Sequence, residues 1–441
     1  MNKKSENKAV SPWQWVPSLY FAQGLPYVVV MSVAVILFKR MGMSNTDIAL
    51  YTSWLNLPWV IKPFWSPFVD LLKTKRWWIV VMQILVGAGL AGIALTIQGP
   101  LAFRYCLAFM WLLAFSSATH DIAADGFYML GLNEKKQAYF VGIRSTFYRF
   151  AVIFGQGILV MFAGWLEQRY AREMPETAAI PQAWSLTFYL LTILFALLFV
   201  YHYLFLPHPR RDTCTLPPQQ ASAGRVFKEF LGTFTSFFQK KHIVSALIFI
   251  LLYRFAEAQL VKITSPFLLD TPATGGLALS TAEVGFIYGT IGVIALTIGG
   301  IVGGIAMARR GLKSCLWTMT IAMNLPNIVY LYLSFARPES IGIISGCVAI
   351  EQFGYGFGFT SLTYFMMLFS NGKHQTAHYA ICTGFMALGL MLPGMISGWI
   401  EESIGYRAFF VWIMLCTIPS FWATHLVRKN LTDNHSDNSS R

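Results

Sequence analysis

The chain has 441 residues, of which 56% are hydrophobic and only 12% charged, with a mean hydropathy of +0.54. That leaves too little polar surface to cover a soluble globule of this size, which excludes an ordinary water-soluble enzyme or binding module. The net charge of +13 is no nucleic-acid signal either: of 33 Lys and Arg residues, 21 fall in connections on one side of the apolar stretches and 7 on the other.

A helix needs about 20 apolar residues to cross the hydrocarbon core of a bilayer. Twelve such stretches follow one another, at 15–38, 47–69, 77–98, 102–130, 138–165 and 184–206, then 243–268, 282–308, 312–335, 341–369, 376–400 and 408–427. They predict an all-α polytopic membrane protein with twelve transmembrane helices. Positive loops stay cytoplasmic, so both termini and the central connection are expected on the cytoplasmic side. That connection, 207–241, is the longest polar stretch, contains Pro-Pro and charges of both signs, and separates six spans from six. It divides the chain into a first bundle at 1–206, a linker, a second bundle at 242–430 and a polar tail at 431–441 that is expected to be disordered. The six cysteines are scattered and form no CxxC, so neither a disulfide framework nor a metal site is implied, and no cofactor is expected.

The two halves are weakly similar to one another. A shift of 234 residues superposes Gln23 on Glu257, Lys75 and Arg76 on Arg309 and Arg310, and Gly164-Trp165 on Gly398-Trp399. Parallel repeats of this kind occur in transporters whose halves rock about a site at the bilayer midplane. Charged and polar residues fall accordingly. The interiors of spans three, six, nine and twelve lack Asp, Glu, Lys and Arg, whereas spans one, four, seven and ten carry Gln23, His120, Asp121, Asp125, Arg254, Glu257 and Glu351. A charge inside a membrane is costly and marks either a lined cavity or a fixed pair.

Each candidate has a functional and a structural reading. Asp121 and Asp125 sit one turn apart on one helix face, and two carboxylates so close in a dry site do not both ionise cheaply, which makes them proton-binding candidates. The structural alternative is an anchor in which Asp125 holds Arg144 or Arg149. Arg254 and Glu257, three residues apart, neutralise one another, or else Glu257 takes a proton and frees Arg254 for a ligand carboxylate or phosphate. Glu351, followed by Gln352, has no basic neighbour on its own helix and joins the proton-coupling candidates. Lys62 lies between Pro58 and Pro63, where a broken hydrogen-bond ladder offers carbonyls to its ammonium. Tyr20, Gln23, Gly24 and Tyr27 form a polar aromatic stripe suited to a sugar ring, or a packing stripe.

FAQGLP at 21–26, IKPFWSPFVD at 61–70, SSATHDIAADGF at 116–127, GIRSTFYRF at 142–150, YRFAEA at 253–258 and the region from Glu351 to Gly398 carry a resemblance. In them the chain resembles the AmpG-like muropeptide permeases of the major facilitator superfamily, over nearly all spans in order. Acetyl-CoA transporters of the endoplasmic reticulum and some siderophore permeases are similar too. His120, where the pattern usually has Gln, and the aromatic FGYGFGFTSLTYF of span ten are departures.

The resemblance implies two six-helix bundles around a cavity lined by spans one, four, seven and ten, with spans three, six, nine and twelve toward lipid. It implies proton-coupled import of GlcNAc-anhydro-muropeptides across the bacterial inner membrane for cell-wall recycling. Tyr20, Gln23, Tyr27, Lys62, His120, Arg149, Arg254 and Gln352 then become substrate-binding candidates, and Asp121, Asp125, Glu257 and Glu351 proton carriers. Asp70, Lys73 and Arg76 match the cytoplasmic gate of the superfamily; the second half has Gly304 where Asp70 would fall. An enzyme is not expected, because no loop holds an adjacent nucleophile and base. The expected partners are a small-molecule substrate, protons and lipid, with no nucleic acid, and the protein is expected to be a monomer.

Overall fold

The computed structural model describes residues 11–209, 212, 232, 234–372 and 375–438; at 67–68, 70–71, 134, 138, 141, 376 and 431–438 the backbone alone is described. Most of the expected linker therefore lies outside the described residues, as does the side chain of Asp70. All regular structure among the described residues is helical.

Among the described residues, eight helices are long and apolar enough to cross a membrane. Two of them are double: Thr281–Ala336 turns at Gly311 (φ 72°, ψ 166°) and Ala377–Asn430 at Gly405 (φ 75°, ψ 162°). A side chain at such dihedrals collides with its own backbone, so glycine alone makes each one-residue elbow. Span two, in the pieces Asn45–Trp54 and Leu57–Leu71, and span ten, Ile341–Ser370, complete the twelve. Span nine shows its lipid face directly: Ile321, Leu325, Ile328, Tyr332 and Phe335 are exposed at spacings of four and three.

Several spans depart from a regular α-helix. Span one carries a π-helical turn at Val29–Val33, span five one at Ile153–Leu159 and span eight one at Gly285–Gly292. Span seven is interrupted between Ile243–Leu252 and Phe255–Leu269. Irregular backbone survives in a membrane where neighbouring groups satisfy it. Here Ser420 Oγ donates to the Leu252 carbonyl at 3.1 Å, and the Tyr253 hydroxyl is pinned by the Gly358 carbonyl and Ser361 Oγ at 3.1 and 2.8 Å.

The described chain forms two compact units, Met1–Val28 with Trp65–Val152 and Ser185–Ala221, and Val29–Phe64 with Ile153–Trp184 and Ser222–Arg441. In the first, Trp15, Tyr20, Phe127 and Tyr128 pack a core between spans one and four. A buried polar chain crosses it, from Ser18 Oγ to His202 Nε2 (2.9 Å), His202 Nδ1 to Gln83 (2.8 Å) and Gln83 to His120 Nε2 (3.1 Å). In the second, Phe237, Phe249, Tyr253, Met319 and Phe365 pack a core. Span ten approaches its neighbours through glycine: a Cβ on Gly356 would lie 2.0 Å from the Leu296 carbonyl oxygen, and one on Gly354 2.1 Å from that of Ala322. Alternating glycine and aromatic residues thus put backbone against spans eight and nine, which accounts for FGYGFGF.

The second unit also holds two related clasps. Gly164-Trp165-Leu166-Glu167 of span five lies 234 residues before Gly398-Trp399-Ile400-Glu401 of span eleven. A Cβ on Gly164 would sit 2.3 Å from the Ala282 nitrogen, and one on Gly398 2.0 Å from the Asn45 oxygen, so each glycine seats its helix on the first turn of another. The glutamate one turn on then bonds to that turn: Thr281 Oγ1 donates to Glu167 at 2.7 Å, and Asn45 Nδ2 to Glu401 at 2.6 Å. Arg40 joins Glu167 at 3.1 Å, and Lys39 joins Asp270 at 2.7 Å.

Candidate functional site

The first unit gathers the polar residues of spans one and four. Gln23, buried, donates through Nε2 to Asp121 Oδ1, while its Oε1 has no partner among the described residues. One turn further along, the Tyr20 hydroxyl donates to Asp125 Oδ1 at 3.1 Å. Arg144 of span five donates to that hydroxyl at 3.1 Å, lies 3.5 Å from Asp125 and stacks 4.8 and 5.2 Å from the rings of Tyr20 and Tyr128. Asp125 is thus ion-paired with Arg144, while Asp121 accepts from the neutral amide of Gln23. Arg144, partly buried, gives this cluster a guanidinium able to receive a carboxylate.

Other candidates on this unit fall into supporting positions. His120 is buried in the polar chain with Gln83, and its Nδ1 has no partner among the described residues. Gly24 serves packing, its would-be Cβ lying 2.9 Å from Ala151 Cβ, and the Tyr27 ring sits 6.5 Å from that of Tyr148. Arg149 is half-buried on span five. Of the gate residues, Lys73 lies 5.9 Å over the Trp77 ring, and Arg76 is tied to the carbonyls of Tyr203 and Leu206 at the end of span six.

In the second unit, the interruption of span seven sets Arg254 just before the helix Phe255–Leu269 and Glu257 in its first turn. The two are not ion-paired to one another among the described residues. Arg254 instead donates through Nη2 to the Tyr355 hydroxyl and lies 4.9 and 5.0 Å from the rings of Tyr355 and Phe359, with Nε left without a partner. Glu257 is buried with Oε2 unpartnered. Glu351 accepts at Oε2 from the Tyr330 hydroxyl (3.2 Å) and Gln352 Nε2 (2.9 Å), and its Oε1 is unpartnered too. Two buried acids on spans seven and ten thus each keep an oxygen without a partner among the described residues, which is costly unless the acid carries a proton or a ligand completes it. Lys62 is half-buried on span two.

The sequence reading did not single out Tyr330, Tyr355 or Lys262. Tyr355 lies in the unusually aromatic stretch of span ten, which was a signal without an assignment. Lys262, 4% exposed, donates to Thr52 Oγ1 at 3.1 Å and is a buried ammonium on the same helix as Glu257. The clasp glutamates were also missed, although the 234-residue register that pairs Gly164 with Gly398 pairs Glu167 with Glu401.

Residues 18–377 match the Major Facilitator Superfamily. The chain belongs to that superfamily. Its curated relatives include transporters named AmpG. It is 25% identical over 415 residues to a "Putative transporter AmpG 4" of Rickettsia conorii, covering 92% of this chain and 93% of the relative. It is 23% identical over 420 residues to the "Anhydromuropeptide permease" of Escherichia coli K12, covering 94% and 79%. Among solved structures, the nucleoside transporter NupG shares the fold with a TM-score of 0.68 at 13% identity, covering 94% of this chain and 98% of that one. The protein is therefore a multi-pass secondary transporter of the superfamily's all-α fold.

Proposed function

We propose that this transporter imports GlcNAc-anhydro-muropeptides by alternating access, driven by protons. The observation that carries the reading is the two buried acids, Glu257 and Glu351, each with one oxygen unpartnered among the described residues. The cargo follows from the relatives' names and from the site's chemistry: tyrosines and an amide near Gln23 for sugar rings, and Arg254 and Arg144 for peptide carboxylates. Proton coupling is energetically sufficient, since one charge crossing 100 mV is worth about 2.3 kcal/mol, or about fifty-fold accumulation of a neutral solute. Glu351 and Glu257 take up the proton, and Asp121 is the corresponding acid of span four. The protein works as a monomer in the bacterial inner membrane with both termini cytoplasmic, so the two clasps lie at the outer ends of their spans and release in every cycle.

The test is uptake of labelled anhydro-disaccharide tetrapeptide into inside-out and right-side-out vesicles. Uptake is expected to collapse with an uncoupler and with Glu351→Gln, while Glu351→Gln retains cargo exchange. Uncoupler-resistant uptake would remove the proton from this reading, and uptake of acetyl-CoA in place of the muropeptide would replace the cargo.

A further inference from the structure

Lys262, buried in the middle of the span-seven helix Phe255–Leu269, has no part in the transport cycle described so far. Its Nζ reaches span two and donates to Thr52 Oγ1 at 3.1 Å. Thr52 Oγ1 in turn donates to the Ile48 carbonyl at 2.7 Å, so its own hydrogen is committed and the hydroxyl receives from Nζ. That bond takes one of the three N–H groups of an ammonium, and no other acceptor meets Nζ among the described residues. Ser53, the next residue of span two, is fully buried, and its Oγ too has no partner among the described residues. A charged head with two dry N–H groups is costly to enclose, whereas an amine has one N–H fewer and no charge.

The groups packed against the lysine are Thr52 of span two and Gly394 of span eleven, neither of them ionisable. Further along those helices the acids are engaged elsewhere: Asp270 pairs with Lys39 at 2.7 Å, and Glu401 accepts from Asn45 at 2.6 Å. The space around Lys262 decides between a proton and a larger ligand. A Cβ on Gly394 would lie 2.8 Å from Ser53 Oγ, 3.1 Å from the Ala258 carbonyl oxygen and 3.5 Å from Lys262 Cγ. Spans two, seven and eleven thus close on the lysine stem with too little room for a methyl group, and none for a cargo carboxylate. A proton needs no room. The same seam continues one turn on to Gly398 and the span-eleven clasp. From that clasp the order along span seven is Asp270, Lys262, Glu257 and Arg254. The helix rise is about 12 Å from Asp270 to Lys262 and about 7.5 Å from there to Glu257.

We infer that Lys262 is the port through which the driving proton enters, taking it from outer water when span eleven parts from span two and giving it up to Glu257 as the seam shuts. In that transfer the N–H bond breaks and the electron pair stays on Nζ. The proton passes, over water admitted by the opening, to the unpartnered Oε2 of Glu257, so that ammonium and carboxylate become amine and acid. One charge of each sign disappears, which removes the cost of enclosing them. The inference rests on the proton-driven reading proposed above.

The full-length protein is reconstituted in proteoliposomes. Accumulation of labelled anhydro-disaccharide tetrapeptide is driven by a pH gradient, and cargo exchange is measured at equal pH. Lys262→Gln is expected to lower accumulation about tenfold or more, within the weight of one proton-transfer group, while exchange stays within about twofold of wild type. Lys262→Arg is expected to lose as much, because a guanidinium keeps the charge and the donors but does not release a proton. Accumulation restored by Lys262→Arg would assign Lys262 a fixed positive charge and overturn the inference, as would full accumulation in Lys262→Gln. Should Lys262→Arg not remain monodisperse, Lys262→Gln decides alone: exchange falling together with accumulation marks a structural or cargo-binding role and overturns the inference. Wild-type accumulation that resists an uncoupler defeats the proton-driven reading and this step with it; an uncoupler-sensitive wild type with an active Lys262→Arg defeats this step alone.

Discussion

Gly398→Ala tests the span-eleven clasp at its closest point. The new Cβ would stand 2.0 Å from the Asn45 oxygen, whereas side-chain carbons essentially never come nearer than 3.0 Å, so the two helices must part by at least 1 Å. The atom in the way is a backbone carbonyl in the first turn of span two, and it has no rotamer to change. Parting by 1 Å takes the 2.6 Å bond from Asn45 to Glu401 out to a separation that is no longer a hydrogen bond. Overpacking of this kind costs about 1 to 3 kcal/mol. Applied to the clasped state alone, that shifts its population against the open state by about 5- to 150-fold.

The reporter is Ser53→Cys, fully buried where a Cβ on Gly394 would meet its oxygen at 2.8 Å, in a background with the six native cysteines replaced. Labelling by a membrane-impermeant maleimide is expected to accelerate in that range in Gly398→Ala. Gly164→Ala, with its Cβ 2.3 Å from the Ala282 nitrogen, should open the partner clasp in the same sense. Unchanged labelling together with unchanged uptake in Gly398→Ala would refute the clasp as a moving contact.

Three further outcomes follow from the site. Lys262→Met removes a buried ammonium whose acceptor is a single hydroxyl, so the melting temperature should hold or rise while uptake drops about tenfold or more; full uptake would take Lys262 out of the site. Tyr355→Phe strips Arg254 of its hydrogen bond at Nη2, a loss of about 1.5 to 3 kcal/mol for a bond to a charged group. It should therefore raise KM for cargo while leaving the maximal rate within about twofold, and an unaltered KM would show that Arg254 is positioned without it. Asp125→Asn weakens a partly exposed pair at 3.5 Å, so it should cost less than about 1 kcal/mol of stability. A larger thermal loss in a calorimetric scan would show that the pair anchors the fold more firmly than its exposure implies.

The twelve spans were legible because length and apolarity suffice to define them, and the residues that gather in the two units were legible because membrane charges are rare. Asp121, Asp125, Arg254, Glu257 and Glu351 all stood out for that reason. Their partners were not readable in the same way. Arg254 had Glu257 as its nearest opposite charge along the sequence, yet span seven is interrupted just there and the guanidinium turns to Tyr355, a contact about 100 residues distant that no helical spacing could indicate. Glu351 likewise meets Tyr330 through the approach of spans nine and ten, which depends on glycines at 354 and 358 rather than on any charge pattern. Lys262 escaped notice because a single lysine in an apolar run has no neighbour in sequence to define its role. The π-helical turns carry no proline or other breaker that would announce all three of them, and their residues read as ordinary span.

The elbows at Gly311 and Gly405 have a mechanical meaning. Each joins two long helices through one residue, with nearly the same pair of dihedral angles, so each pair of spans is tied end to end with no loop between. Spans eight and nine are then expected to move together, as are spans eleven and twelve. Tension applied at Thr281, where span eight is gripped, is carried along that helix and returned through span nine. Adding a few flexible residues at position 311 would convert the lever into two loose rods.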